Sequence, residues 1–122
     1  MTIELNHTIV PAKDQDEAAA FFARIFGVPR VTGGPAHFAP VRVNDKLTLD
    51  FSTEDDVRSQ HYAFKVSEAE FDAIFGRVRA EGIKFGSGPF AAEDGKTNNW
   101  NGGRGVYFRD PSGHLLELLT VG

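Results

Sequence analysis

The chain has 122 residues, 13 basic and 17 acidic side chains, a formal charge of −4 and no cysteine. Disulfides, thiolate nucleophiles and cysteine-ligated metals are therefore excluded, and an acidic chain without a Lys/Arg run gives no support for nucleic-acid binding. With 41% apolar and 11% aromatic residues the composition is that of an ordinary globular domain. No apolar stretch approaches the ~20 residues of a membrane span, and no signal peptide is visible at the N-terminus. The expected setting is cytoplasmic.

Taken in chain order, residues 3–10 alternate loosely and predict a strand closed by Pro11. Residues 14–26 predict a helix, with Asp14 as N-cap, Glu17 three positions on, and Gly27 just past the end. Residues 28–32 predict a short strand broken by Gly33-Gly34-Pro35, and 37–43 another strand. Asn44-Asp45 marks a tight turn into a strand over 46–52, where Leu47, Leu49 and Phe51 alternate with polar residues. An acidic linker follows over 53–59. The order then repeats: strand 60–66, helix 67–81 with a Ser67/Glu70 capping box and Gly82 beyond, short strand 83–85, a Gly/Asn-rich loop over 86–103, strand 105–109, the turn Asp110-Pro111-Ser112-Gly113, and strand 114–121. The helices carry similar Phe, Ile and Phe-Gly runs, Phe22 to Gly27 and Phe71 to Gly76.

This is an α+β pattern of two β-α-β-β-β modules, residues 1–55 and 58–122, within one domain spanning 1–122. Each module alone is too small to bury both faces of its sheet, so the sheets must pack together or against a second chain.

Four ionisable residues interrupt the strand patterns. His7 lies in phase with Leu5 and Ile9, Asp50 is in the last strand of the first module, His61 opens the second, and Glu117 sits inside Leu115-Leu116-Glu117-Leu118-Leu119. A carboxylate in such a run is costly to bury unless it is paired or bound to metal. The repeat gives the two histidines related places, and likewise the two carboxylates. Two imidazoles with one or two carboxylates suit Fe(II), Mn(II), Ni(II), Co(II) or Zn(II), and two His with one carboxylate is the facial set of non-haem iron oxygenases. Each residue also has a plainer reading, as a hydrogen-bonded core, edge or surface group. Tyr107, in strand phase nearby, reads either as a donor of a hydrogen bond or proton or as a core aromatic.

Three stretches carry a family resemblance: Leu5-Asn6-His7, Gln60-His61-Tyr62-Ala63-Phe64, and Tyr107 through Asp110-Pro111-Ser112-Gly113-His114-Leu115-Leu116-Glu117. Together with the repeat they resemble the vicinal oxygen chelate superfamily, which includes glyoxalase I, bleomycin-resistance proteins, fosfomycin-modifying thiol transferases and extradiol dioxygenases. The resemblance implies a glyoxalase-like fold in which the modules form a cupped mixed sheet with helices outside. It implies metal ligation by His7, His61 and Glu117. Asp50 matches a glyoxalase I carboxylate position, usually Glu there, and is expected as general base or fourth ligand.

The expected cofactor is a divalent ion, Zn, Ni, Mn or Fe, the partner a small-molecule substrate, and the assembly a homodimer. Glyoxalase-like lyase or isomerase chemistry is the first expectation, ring-cleaving dioxygenase chemistry the second, and non-catalytic binding or antibiotic resistance the third. Against fosfomycin as substrate, Ile9 stands where the thiol transferases carry Thr, and Gly105 where they carry Ser.

Lys65 reads mainly as a surface lysine, and His37 as a loop residue. Trp100 sits on a loop that is either a lid or plain solvent-exposed chain. Arg42, Arg104 and Arg109 are alternative anion clamps. His114, at an odd offset from Glu117, is expected to face away from the metal.

Overall fold

The computed structural model describes residues 2–32 and 37–122. The expected break at Gly33-Gly34-Pro35 lies outside the described residues. The chain divides into two compact units, residues 1–58 and 59–122, each carrying a small mixed sheet and a helix. The α+β fold class expected from the sequence is the one observed.

The first unit runs β1 (His7–Ala12), α1 (Gln15–Phe26), β2 (Ala39–Arg42) and β3 (Thr48–Thr53). Its sheet has the order β1-β3-β2, with β1 parallel and β2 antiparallel to β3. Asp14 starts α1 by accepting the Glu17 amide at 3.0 Å, and Gly27 ends it at φ 69°, a left-handed conformation that costs glycine little. Val10, Ala12, Leu49, Phe51, Ala39 and Val41 on one face of the sheet are buried, as are Phe22 and Ile25 of α1, and the Phe22 and Phe51 rings lie 6.0 Å apart. Burying a side chain such as Phe51 contributes about 2–3 kcal/mol.

Two expectations need correction here. Pro11 does not close the first strand but lies within β1, opposite Ser52. A proline is tolerated there because β1 is an edge strand and needs no donor on its open side. Residues 28–32 do not form a full strand. They make one bridge, Arg30 to Val41, flanked by Val31 N–H donating to the Pro40 carbonyl and Arg42 N–H donating to the Pro29 carbonyl. Pro29 has no amide proton to extend that ladder.

The second unit runs β4 (His61–Lys65), α2 (Glu68–Ala80), β5 (Phe85–Gly86), β6 (Gly105–Arg109) and β7 (Leu115–Leu119), with a 3-10 turn over Trp100–Gly102. The sheet order is β4-β7-β6-β5, with β4 parallel to β7 and the other pairs antiparallel. At the start of α2 the Ser67 hydroxyl accepts the Glu70 amide and the Glu70 carboxylate accepts the Ser67 amide. Phe71, Ile74 and Val78 form its buried stripe, and the Phe75 ring meets Phe85 of β5 edge-on at 4.9 Å. Val106, Phe108, Leu116 and Leu118 are buried on strands of the sheet.

The units share a wiring. In each, the first strand pairs parallel with the last, and the last pairs antiparallel with the one before it. Among the described residues no helix is long and apolar enough to cross a membrane.

Ser67→Ala removes the hydroxyl half of the α2 capping box. It is expected to lower stability by about 1 kcal/mol, measured by urea denaturation; an unchanged midpoint would contradict the role given to the cap.

Candidate metal centre

Cross-strand partners in a sheet present their side chains to the same face. In the second unit His61 pairs with Leu115, Ala63 with Glu117, and Tyr107 with Glu117. One face therefore carries His61 on β4, Glu117 on β7 and Tyr107 on β6. His61 Nε2 lies 2.8 Å from Glu117 Oε1. Glu117 is only 8% exposed and Tyr107 3%, whereas the His61 side chain is 45% exposed. The site is a buried carboxylate approached from one side by a solvent-reachable imidazole.

The Tyr107 hydroxyl donates to Glu117. Burial, then that hydrogen bond, then the carboxylate charge push the Tyr107 phenol up to about 12. At neutral pH it stays protonated, and in this arrangement it orients Glu117. The His61 and Tyr107 rings lie 5.6 Å apart, and Trp100, 50% exposed, meets Tyr107 edge-on at 6.0 Å. The buried side-chain polar atoms described here all have partners, so the cost of placing Glu117 among leucines is met by hydrogen bonds.

In the first unit His7 pairs with Thr48, and Ile9 with Asp50. His7 and Asp50 thus share one sheet face, opposite the face that holds Val10, Leu49 and Phe51. The register repeats that of the second unit: each histidine opens its strand, and each acid stands two residues beyond the histidine's partner. His7 is exposed, and its Nδ1 lies 2.8 Å from Asn6 Oδ1. Asp50 is half-buried. His61, Tyr107 and Glu117 are therefore drawn together in one unit, and His7 and Asp50 share a face in the other. Among the described residues no group of three or more His, Asp or Glu side chains stands ready as a metal-holding cluster.

The donors that do meet, one imidazole nitrogen and one carboxylate oxygen, fit a borderline divalent ion. A third group bonded to the carboxylate is what metal ligands commonly have behind them.

The other polar residues sort themselves by partner. Arg104 is held by α2: its guanidinium bonds Glu68 and Asp72 at 2.8 Å and lies 4.4 Å above the Phe71 ring. Arg42 bonds Thr48 and the Asp45 carbonyl, and Arg109 donates to the Gly113 carbonyl. Lys65 is exposed at the end of β4, and the His37 ring contacts Phe38. A Cβ on Gly105 would lie 2.5 Å from Asn98 Oδ1, so a serine does not fit there unless Asn98 moves.

Sequence reasoning missed the residues behind the site. His114 faces away from the face that carries His61 and Glu117, as expected, but it is fully buried and accepts the Gln60 amide. Asp110 accepts the Ser112 and His114 amides. The Asp-Pro-Ser-Gly-His run was the available signal.

Two units of like strand wiring, each with a small mixed sheet and a helix, one of them bearing a His/carboxylate pair, define the class of fold, and comparison with known proteins names it. The model of the Glyoxalase/Bleomycin resistance protein/Dioxygenase superfamily matches residues 4–118, and the chain belongs to that family. The solved structure of "Oxidase ChaP-H2" is 43% identical, with TM-score 0.93, covering 100% of this chain and 96% of that one. "Oxidase ChaP-H1" is 46% identical, with TM-score 0.90, covering 99% and 98%. The metallothiol transferase FosB of Shouchella clausii (strain KSM-K16) is 28% identical over 95% of this chain and 79% of its own length.

Burial holds the Asp110 carboxyl above its ordinary 3.8, against the pull of the His114, Ser112 and Gly113 amides. A raised carboxyl stabilises the fold fully below 3.8, and that contribution is lost as pH rises through the folded value. Asp110→Asn keeps the accepting oxygen without the charge. Wild type is expected to lose stability relative to this variant between pH 4 and pH 7, measured by urea denaturation; a constant or opposite difference would contradict this.

Proposed function

We propose that the chain is a metal-dependent enzyme acting on a small molecule that offers two neighbouring oxygens, and that its reaction is oxidative. The observation that carries the metal reading is the 2.8 Å approach of His61 Nε2 to the buried Glu117 carboxylate. His61 and Glu117 are two of the ligands. His7, at the matching register position of the first unit, is the third. When bound, the divalent ion supplies Lewis-acid polarisation of the substrate oxygens and, if it is Fe(II), the redox chemistry of a two-His-one-carboxylate site.

The chain's own residues bind and orient. Tyr107 fixes Glu117 and excludes water from its buried side. Asp50, on the same sheet face as His7 and half-buried, acts as general base toward a substrate hydroxyl. The oxidative choice is supported by likeness, at 43% and 46% identity, to two proteins named oxidases. Glyoxalase-like isomerisation, first in expectation from the sequence, now stands second: the lactoylglutathione lyase structure is 24% identical and speaks for the fold. Fosfomycin transfer is disfavoured by Ile9 and by the close approach of Asn98 to Gly105. The assembly is proposed to be a homodimer, supported by Leu5 and Ile9, which stand exposed near His7.

Protein purified without chelator is expected to carry stoichiometric divalent metal by elemental analysis, and His61→Ala and Glu117→Gln to lose most of it. Fe(II)-loaded wild type is expected to consume oxygen with a substrate bearing vicinal hydroxyls, and both variants to lose that activity by at least about a hundredfold. Metal-free wild type, or His61→Ala that still binds small molecules as wild type does, would place the protein among binding proteins without turnover. Isomerisation of a hemithioacetal without oxygen uptake would favour the second reading.

A further inference from the structure

The first rung of β4 is not made by backbone alone. Gln60 precedes the ligand His61. Its carbonyl accepts the Leu115 amide at 2.8 Å in the usual way, but its amide donates at 3.0 Å to Nδ1 of His114. A backbone N–H can only donate, so Nδ1 carries the lone pair and the neutral ring holds its proton on Nε2.

His114 is itself clamped. Asp110 Oδ1 accepts its amide at 2.8 Å, and the Asp110 amide donates to its carbonyl at 3.0 Å. Gly113, at φ 90°, makes the turn that allows both. The Gly113 carbonyl accepts from Ser59 Oγ and from Arg109. The imidazole is wholly buried, with the Tyr62 ring meeting it edge-on at 5.4 Å.

We infer that His114 is a positioning residue, whose Nδ1 pins Gln60 at the head of β7 and so sets His61 against Glu117. The consequence follows from sheet geometry: a slip of β4 by one residue would turn His61 to the opposite face. The motif around His114 thus serves the metal face from behind, without touching it. For its effect on metal, this inference rests on the metal reading above.

The test uses the full chain and three variants. His114→Asn places Oδ1 where Nδ1 stands, His114→Gln places its polar atoms near Nε2, and His114→Phe fills the space without an acceptor. The readouts are Co(II) affinity from its visible absorption, and hydrogen exchange of the Gln60 amide in metal-free protein. His114→Asn is expected to keep Gln60 protected and Co(II) affinity within about threefold of wild type. His114→Gln and His114→Phe are expected to lose Gln60 protection, with affinity falling by about 10–100-fold, as when support behind a ligand is removed.

Rescue by Gln in place of Asn, or His114→Gln and His114→Phe with protected Gln60 and wild-type affinity, would overturn the inference. Should His114→Phe fail to fold, the Asn and Gln pair decides alone. Wild type that binds no Co(II) would defeat the metal reading, while Gln60 exchange would still decide whether His114 pins the strand.

Discussion

Placing a carboxylate in the middle of Leu115-Leu116-Glu117-Leu118-Leu119 is the constraint on which the second unit turns. An ionised carboxylate removed from water without partners costs several kcal/mol or more. Glu117 meets that cost with one imidazole and one phenol, His61 at 2.8 Å and Tyr107. Each comes from a neighbouring strand, so the pairing depends on the register of β4, β7 and β6. Because a buried hydrogen-bonded network is costly when half complete, the sheet has strong reason to hold that register.

The same requirement explains the apparatus around the turn at Asp110-Pro111-Ser112-Gly113. Asp110 is held among backbone amides, Gly113 takes the backbone angle that other residues avoid, and His114 extends the β4–β7 pairing by one side-chain rung. Under the proposed metal reading, a rigid turn that fixes the strand bearing His61 follows the general rule that ligands are only as well placed as the groups supporting them. The first unit repeats the diagonal of histidine and acid but not the contact between them. Asp50 is one methylene shorter than a glutamate, and His7 turns to Asn6. The His7/Asp50 face of the first unit is thus the more open of the two.

Much of this was legible in the sequence because it rests on period and punctuation. Alternation predicted the strands, the Asp14 and Ser67 caps and the glycines at 27 and 82 predicted the helix ends, and the repeat predicted two like units. His61 and Glu117 stood out because polar residues broke an apolar phase. What was not legible depends on pairing partners distant in the chain. Residues 28–32 look like a strand, yet Pro29 has no donor and only one bridge forms. Pro11 looks like a terminator, yet it sits on an edge that needs no donor. Nor were the partners of the three candidate arginines legible: Glu68 and Asp72 hold Arg104, Thr48 and the Asp45 carbonyl hold Arg42, and the Gly113 carbonyl holds Arg109. The facing of His114 was legible from its strand phase, but its bond was not, because the partner is the backbone of residue 60, 54 positions away.

The central proposal is that the solvent-reachable His61 and the buried Glu117 carboxylate hold a divalent ion, with Tyr107 behind them. A crystal structure of protein grown with Mn(II) or Co(II), with the ion located by anomalous scattering, tests this most directly. The account predicts the ion within about 2.0–2.2 Å of a His61 nitrogen and a Glu117 oxygen, with Tyr107 still bonded to the carboxylate. An ion bound elsewhere, with the His61–Glu117 hydrogen bond intact, would contradict it.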